Sequence, residues 1–263
     1  MNSLLARKIK EKKFVLNGWI QIPSAFATEV MAHQEWDTLT IDMQHGMVSF
    51  DQALSMLQAI AGTDTLPLAR ASSNDPASIM KLLDSGVAGI ICPLINTKKE
   101  AQQFVDSCLY PPEGLRSFGP LRAMMIAGSQ YLLDANKSIA KIVMIETKQA
   151  IENLNDILSV KGIDGIYIGP NDLGISLGSP LSVDTKNKLR SNELSVSEET
   201  ENAISQILKV SSEKNLITGI HSSSPEMSTK MIKKGFNFIT SASDERLLAA
   251  GSQSVIEKLK ILR

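Results

Sequence analysis

Lys141-Ile142-Val143-Met144-Ile145-Glu146 and, further on, Ile163-Asp164-Gly165-Ile166-Tyr167-Ile168-Gly169-Pro170-Asn171-Asp172 decide the fold. Both apolar runs are rich in β-branched residues and short enough to be buried strands. Each ends in a carboxylate, Glu146 directly and Asp172 after a Gly-Pro-Asn turn. Ile151, Leu154, Ile157 and Leu158 between them keep helical spacing. Strand, helix and strand within about 30 residues read as a βαβ unit with parallel strands. Two acids leaving the same edge of a parallel sheet point at one spot, where they repel unless something positive lies between them. A hard divalent cation is the simplest such thing. The competing reading makes both acids ordinary loop residues, with Asp172 capping the next helix.

The same alternation recurs on either side. Strands are expected over Val15 to Ile22, Trp36 to Asp42, Leu66 to Arg70, Val87 to Cys92, Leu216 to Ile220 and Phe236 to Thr240. Helical patterns follow each, with Ser24, Asn74-Asp75-Pro76 and Thr97 with Glu100 as starts, and Gly86 and Gly235 as stops. Leu121 to Tyr131 reads as one helix, and Leu4, Leu5 and Ile9 suggest a short helix before the first strand. Tyr110-Pro111-Pro112-Glu113-Gly114 opens a loop too long for a plain connection, and residues 176–201 read as an exposed polar insertion. Eight strands each followed by a helix give an α/β fold, a single-domain (β/α)₈ TIM barrel spanning 1–263. The alternative, a doubly wound open sheet, lacks the GxGxxG that usually accompanies it.

The chain has 263 residues, 43% of them apolar, and a formal charge of −1 spread evenly. That balance argues against nucleic acid or an anionic membrane surface as the main partner. Two cysteines, Cys92 and Cys108, form no CxxC, so neither a disulfide framework nor a zinc ribbon is expected, and a reducing cytoplasm fits. No apolar run approaches the ~20 residues of a membrane span. The basic N-terminal stretch is followed by no signal-type apolar core.

In such a barrel the chemistry sits where strands exit toward their helices. Asp42 and His45 stand after strand two, Arg70 after three, Glu146 after five, Asp172 after six and His221 after seven. Arg70 can hold a carboxylate or keto oxygen through paired hydrogen bonds, or serve in an ion pair at the barrel mouth. His45 can move a proton near neutral pH with Asp42 setting its tautomer; the plainer reading is a loop histidine. His221 can line the pocket or bond a backbone carbonyl. Backbone N–H groups around Gly169 to Asp172 can receive an anion such as a carboxylate. No lysine falls within strands two to eight except Lys141, at the entry end of strand five. A Schiff-base mechanism therefore has no lysine to use, and electron withdrawal falls to a Lewis-acidic metal.

Ile41-Asp42-Met43-Gln44-His45-Gly46, Leu68-Ala69-Arg70, Tyr110-Pro111-Pro112-Glu113-Gly114 with Gly119-Pro120-Leu121-Arg122-Ala123, Met144-Ile145-Glu146-Thr147 and Gly165 to Leu173 together resemble the metal-dependent 2-oxo acid aldolases of the HpcH/HpaI type. These include 4-hydroxy-2-oxo-heptanedioate and 2-dehydro-3-deoxyglucarate aldolases, and the resemblance runs from about Gly18 to Leu248. It implies a class II aldolase that cleaves a 4-hydroxy-2-oxo acid to pyruvate and an aldehyde. Mg²⁺, Mn²⁺ or Co²⁺ is expected on Glu146 and Asp172, and His45 paired with Asp42 as acid and base. Arg70 is expected on the enolate oxygen, with Gly169, Asn171 and Asp172 beside the substrate. A homo-oligomer, hexamer or trimer, is also implied, with the last helix on a neighbour and Asp84 approaching a neighbour's site. Two departures stand out. Gln44 replaces a glutamate found in one branch, and Asn171 replaces a frequent alanine. The resemblance also admits a citrate-lyase-like acyl lyase, an oxaloacetate decarboxylase and a non-catalytic sugar-acid-binding relative.

Overall fold

Eight short, largely buried runs close on themselves. They are β1 (Val15–Ile20), β2 (Thr38–Asp42), β3 (Leu66–Arg70), β4 (Gly89–Cys92), β5 (Ala140–Met144), β6 (Gly165–Ile168), β7 (Ile217–His221) and β8 (Phe238–Ser243). The computed structural model describes residues 2–179, 197–222 and 224–260. Every strand pairs in parallel with its sequence neighbour, and β8 returns to β1, giving a closed eight-stranded barrel. This is the (β/α)₈ architecture expected from the alternation.

The helices are α1 (Leu4–Lys12), α2 (Ala25–Ala32), α3 (Phe50–Ile60), α4 (Pro76–Asp84), α5 (Lys98–Cys108), α6 (Leu121–Ala127) and α7 (Tyr131–Ser138). After β5 come α8 (Lys148–Glu152), α9 (Leu154–Ile157), α10 (Pro170–Ser176), α11 (Glu198–Glu213), α12 (Pro225–Lys234) and α13 (Asp244–Lys260). Their starts follow local chemistry. Thr97 and Glu100 form a reciprocal capping box, as do Ser49 and Gln52, and Asp75 caps α4 with Pro76 in its first turn. The helix expected from Leu121 to Tyr131 stops at Ala127, where Gly128 adopts φ 76°, and Tyr131 instead begins a second helix that runs on to Ser138. The helical pattern between β5 and β6 likewise divides at Asn153. Of the polar stretch 176–201, residues 180–196 lie outside the described residues.

Alternate residues of each strand face inward. Near the entry ends these are apolar: Val15, Leu68, Ile91, Ala140, Ile142, Ile217 and Phe238 fill the barrel, and Leu5 of α1 plugs its floor. Burying each larger side chain contributes about 1.5–3 kcal/mol. One layer up, Asn17 Oδ1 accepts from the hydroxyls of Thr38 at 2.7 Å and Thr40 at 2.9 Å, and its Nδ2 donates to Thr240 Oγ1 at 2.8 Å. Tyr167 O–H also donates to Thr240 Oγ1, at 2.5 Å. These buried polar atoms satisfy one another and hold the strands in register. Above them stand Asp42, Arg70, Glu146 and His221. The inward face thus runs from hydrocarbon at one end to charge at the other.

Lys141 follows the opposite parity. Its Nζ lies 2.7 Å from Asp164 Oδ2, at the entry end and on the helix side of β5. It is structural, as its position in the sequence required.

Candidate active site

The centre of the barrel mouth is an ion pair. β2 and β3 pair with Asp42 level with Arg70. Arg70 Nε donates to Asp42 Oδ1 at 2.8 Å and Nη2 to Oδ2 at 2.6 Å. Asp42 is fully buried, and further donors surround it: Trp19 Nε1 at 3.1 Å, Gln21 Nε2 at 2.9 Å, and the backbone N–H groups of Gln44 at 3.0 Å and His45 at 3.2 Å. Burial alone would raise this carboxyl; the guanidinium and the other donors outweigh it and hold it far below the usual range. Arg70 also sits over the Trp19 indole, 4.9 Å from its centre. Its Nη1 makes no hydrogen bond among the described residues, so two of the three guanidinium nitrogens are spent on fixing its direction.

Asp42 therefore meets His45 through the backbone and not through the ring. Its lone pairs are already taken by other donors, so it cannot set the imidazole tautomer in the expected way. The His45 side chain is exposed. The turn that carries it is tight: a Cβ on Gly46 would lie 2.3 Å from the carbonyl oxygen of Asp42. That contact is possible only for glycine.

The second centre is the carboxylate pair. Glu146 is 3% exposed, and its Oε1 accepts from the Leu94 N–H at 2.8 Å. Leu94 has φ 54°, a left-handed conformation uncommon for a leucine, which turns that N–H toward the acid. A Cβ built on Gly169 would lie 3.0 Å from Glu146 Oε2 and 3.4 Å from Asp172 Oδ2. The two oxygens are thus no farther apart than the sum of those distances. Asp172 lies in the first turn of α10 and makes no cap bond; Gly169 holds the cap position. Asn171 stands beside it, on the same exposed turn. Burial raises the Glu146 carboxyl above its ordinary range and the Asp172 charge raises it further, while the Leu94 N–H and Arg70 pull it back.

A buried acid destabilised by a neighbouring acid is the electrostatic setting that a cation relieves. Among the described residues no group of three or more His, Cys, Asp or Glu side chains is arranged to hold a metal. Two carboxylates suit a hard ion that keeps oxygens of water or substrate in its remaining positions, as Mg²⁺ does. The donor set fits such an ion.

His221 closes the wall between β6 and β8. Its Nδ1 lies 3.3 Å from the Tyr167 hydroxyl, and its ring meets Trp19 edge-on at 5.3 Å. It bonds a side chain, not a backbone carbonyl. Burial, with Arg70 and Arg246 nearby, pushes its pKa down to about 4. The unfolded value is near 6.5, so folding is progressively disfavoured as the pH drops from about 6.5 to 4, and the ring imposes no such cost above that window. Acid titration of stability is therefore expected to be shallower across pH 6.5–4 in His221→Gln than in the wild type; parallel curves by urea unfolding would contradict this.

Several site-forming groups carry no signal of their own in the sequence. Leu94 contributes only its N–H, and Trp19 and Gln21 read as ordinary members of the first strand. The one hint was parity, since Trp19 and Gln21 alternate inward from Asn17 toward the exit end. Asp84 pairs with Arg116 Nη2 at 2.8 Å, away from these groups within one chain.

The strand exits of this barrel carry a pinned arginine and a glycine-separated carboxylate pair, and the chain belongs to the HpcH/HpaI aldolase/citrate lyase family, whose profile matches residues 17–250. It is 38% identical over 252 residues to a hydroxypyruvate/pyruvate aldolase of Rhizorhabdus wittichii, covering 96% of each chain. It is 30% identical over 261 residues to a 4-hydroxy-2-oxo-heptane-1,7-dioate aldolase of Klebsiella pneumoniae, covering 97% of this chain and 93% of the relative. A solved family member from Burkholderia cenocepacia J2315 superposes with a TM-score of 0.87 at 25% identity, over 99% of this chain and 100% of the other.

Proposed function

We propose that this chain is a class II aldolase that reversibly cleaves a 4-hydroxy-2-oxo acid into pyruvate and an aldehyde. The observation that carries this is Arg70, locked by Asp42 and facing the same mouth as Glu146 and Asp172. His45 takes the proton of the C4 hydroxyl through one water, the C3–C4 bond breaks, and the aldehyde leaves. The electron pair moves into the C2 carbonyl, where Arg70 Nη1 stabilises the enolate oxygen. Protonation at C3 then yields pyruvate. A divalent cation, Mg²⁺, Mn²⁺ or Co²⁺, bound by Glu146 and Asp172, supplies the Lewis acidity. Gly169 leaves the space between the carboxylates open, and Asn171 and Asp172 border the substrate. Gln44 contributes a backbone donor to Asp42, a role a glutamate would fill equally, so the missing charge does not dismantle the ion pair.

The test is a screen of aldehydes against pyruvate with each metal, with oxaloacetate and acyl-CoA thioesters as parallel arms. Aldol products with at least one metal are expected. Turnover confined to oxaloacetate or thioesters would replace this reading with a decarboxylase or an acyl lyase, and absence of cation binding by calorimetry with a non-catalytic relative.

We infer that the chain works as one functional unit in a reducing cytoplasm, which suits the free buried thiols of Cys92 and Cys108. No helix among the described residues is long and apolar enough to cross a membrane. We further infer a homo-oligomer, hexamer or trimer. α13 buries only Asp244 of its 17 residues and leaves Leu248 64%, Val255 59% and Leu259 59% exposed. An apolar helix face of that extent is expected to be covered by another copy. Light scattering should give a mass of several chains, and Val255→Glu with Leu259→Glu should lower it; a monomeric wild type would refute the assembly.

A further inference from the structure

His221 ends β7 facing inward, above Gly219, where a Cβ would strike Tyr167 Cδ2 at 2.6 Å and Phe238 Cδ1 at 2.8 Å. The imidazole thus stands on a filled aromatic layer and cannot sink into the barrel. Trp19 meets it on one side and the Tyr167 hydroxyl fixes its Nδ1. That hydroxyl has one proton, and it goes to Thr240 Oγ1. Tyr167 oxygen therefore accepts from His221, Nδ1 carries the hydrogen, and Nε2 keeps a lone pair. Nε2 makes no hydrogen bond to a described residue, and it is absent from the buried side-chain atoms that lack a partner. His221 itself is half-buried, at the exit end of β7.

We propose that His221 is a specificity-determining residue whose Nε2 accepts a hydrogen bond from a hydroxyl group of the bound substrate, so that the pocket prefers hydroxylated carbon chains to unsubstituted ones. This rests on the aldolase reading. Among the groups such a substrate carries, carboxylate and carbonyl oxygens offer no hydrogen to a lone pair, whereas a hydroxyl does. The ring stays neutral above about pH 4, so it has no charge with which to attract an anion. A site built around a substrate hydroxyl discriminates against the analogue without it, because the site's own polar atom is then left unpaired. The hydroxyl can belong to the 2-oxo acid or to the aldehyde; the chemistry at Nε2 is the same.

The experiment compares kcat/KM in two matched pairs. Hydroxypyruvate is set against pyruvate with one fixed aldehyde, and glycolaldehyde against acetaldehyde with pyruvate. In His221→Leu the ratio of hydroxylated to unsubstituted substrate is expected to fall about 10–100-fold in one pair, which assigns the hydroxyl to the 2-oxo acid or to the aldehyde. His221→Gln carries a polar group where Nε2 stood and is expected to retain most of the preference. Thermal unfolding of both variants verifies the fold. Ratios in His221→Leu within threefold of the wild type in both pairs, or an equal loss in the Leu and Gln variants, would overturn the assignment. A wild type that turns over none of the four combinations would instead overturn the aldolase reading, and this inference with it.

Discussion

Arg70→Ala is expected to lower kcat/KM for aldol cleavage by at least ~10²–10³-fold, the scale of losing one aimed electrostatic donor at a developing oxyanion. Pyruvate proton exchange should fall in parallel, since enolate formation is common to both. Stability should fall as well. Asp42 is fully buried and gives both its oxygens to this guanidinium. Removing one partner of such a pair typically costs about 3–5 kcal/mol, because the remaining charge is stranded. Here Trp19, Gln21 and two backbone N–H groups remain to solvate it, which places the loss toward the lower end. Arg70→Lys separates the two roles: it keeps a charge but cannot make the paired bonds that aim Nη1. It should recover stability more than turnover. Cleavage and exchange that both survive Arg70→Ala would remove Arg70 from the mechanism.

Gly169→Ala is expected to weaken divalent-cation binding by about 10–100-fold, comparable to disturbing groups around a metal ligand. The backbone there, φ −96° and ψ 95°, is open to any residue, so the effect owes nothing to conformational strain. It arises because the new methyl would sit 3.0 Å from Glu146 Oε2, in the space between the two acids. Glu146 cannot retreat freely, being buried and tied to Leu94. Calorimetry with Mn²⁺, in the absence of substrate, reads the change directly. Unaltered affinity would mean that the cation, if bound, lies elsewhere. The acid stability of the variant should match that of the wild type, which distinguishes a local obstruction from a damaged barrel.

Much of this arrangement was legible before any coordinates. Leu66 to Arg70 was read to the residue, and all eight strands were located, because short β-branched runs separated by capped helices leave few alternatives. Strand limits are less legible: the apolar runs begin two residues early, at Val87 for β4 and Ile163 for β6, and the small and polar Ser241-Ala242-Ser243 hide the last three residues of β8 beyond Thr240. Leu121 to Tyr131 was misjudged because apolar spacing persists across Gly128, whose positive φ ends the helix regardless. The exit-end acids, Arg70 and His45 stood out as polar residues closing apolar runs. Their partnerships did not. That Asp42 serves Arg70 and not the His45 ring depends on β2 and β3 pairing level at those two positions, and register between strands is not written in either run alone. Backbone groups were least visible of all: nothing about a leucine at position 94 announces what its N–H will do.

Trp19 lies against Arg70, stacks on Tyr167 at 5.6 Å and touches the edge of His221. The chain has only one other tryptophan, Trp36, which packs among the outer helices. The molecule thus carries its own optical probe at the reaction chamber. Occupancy by a cation or an oxo acid alters the dipoles around that indole, so emission wavelength and intensity can report each binding event in unlabelled protein, with Trp19→Phe as the silent reference.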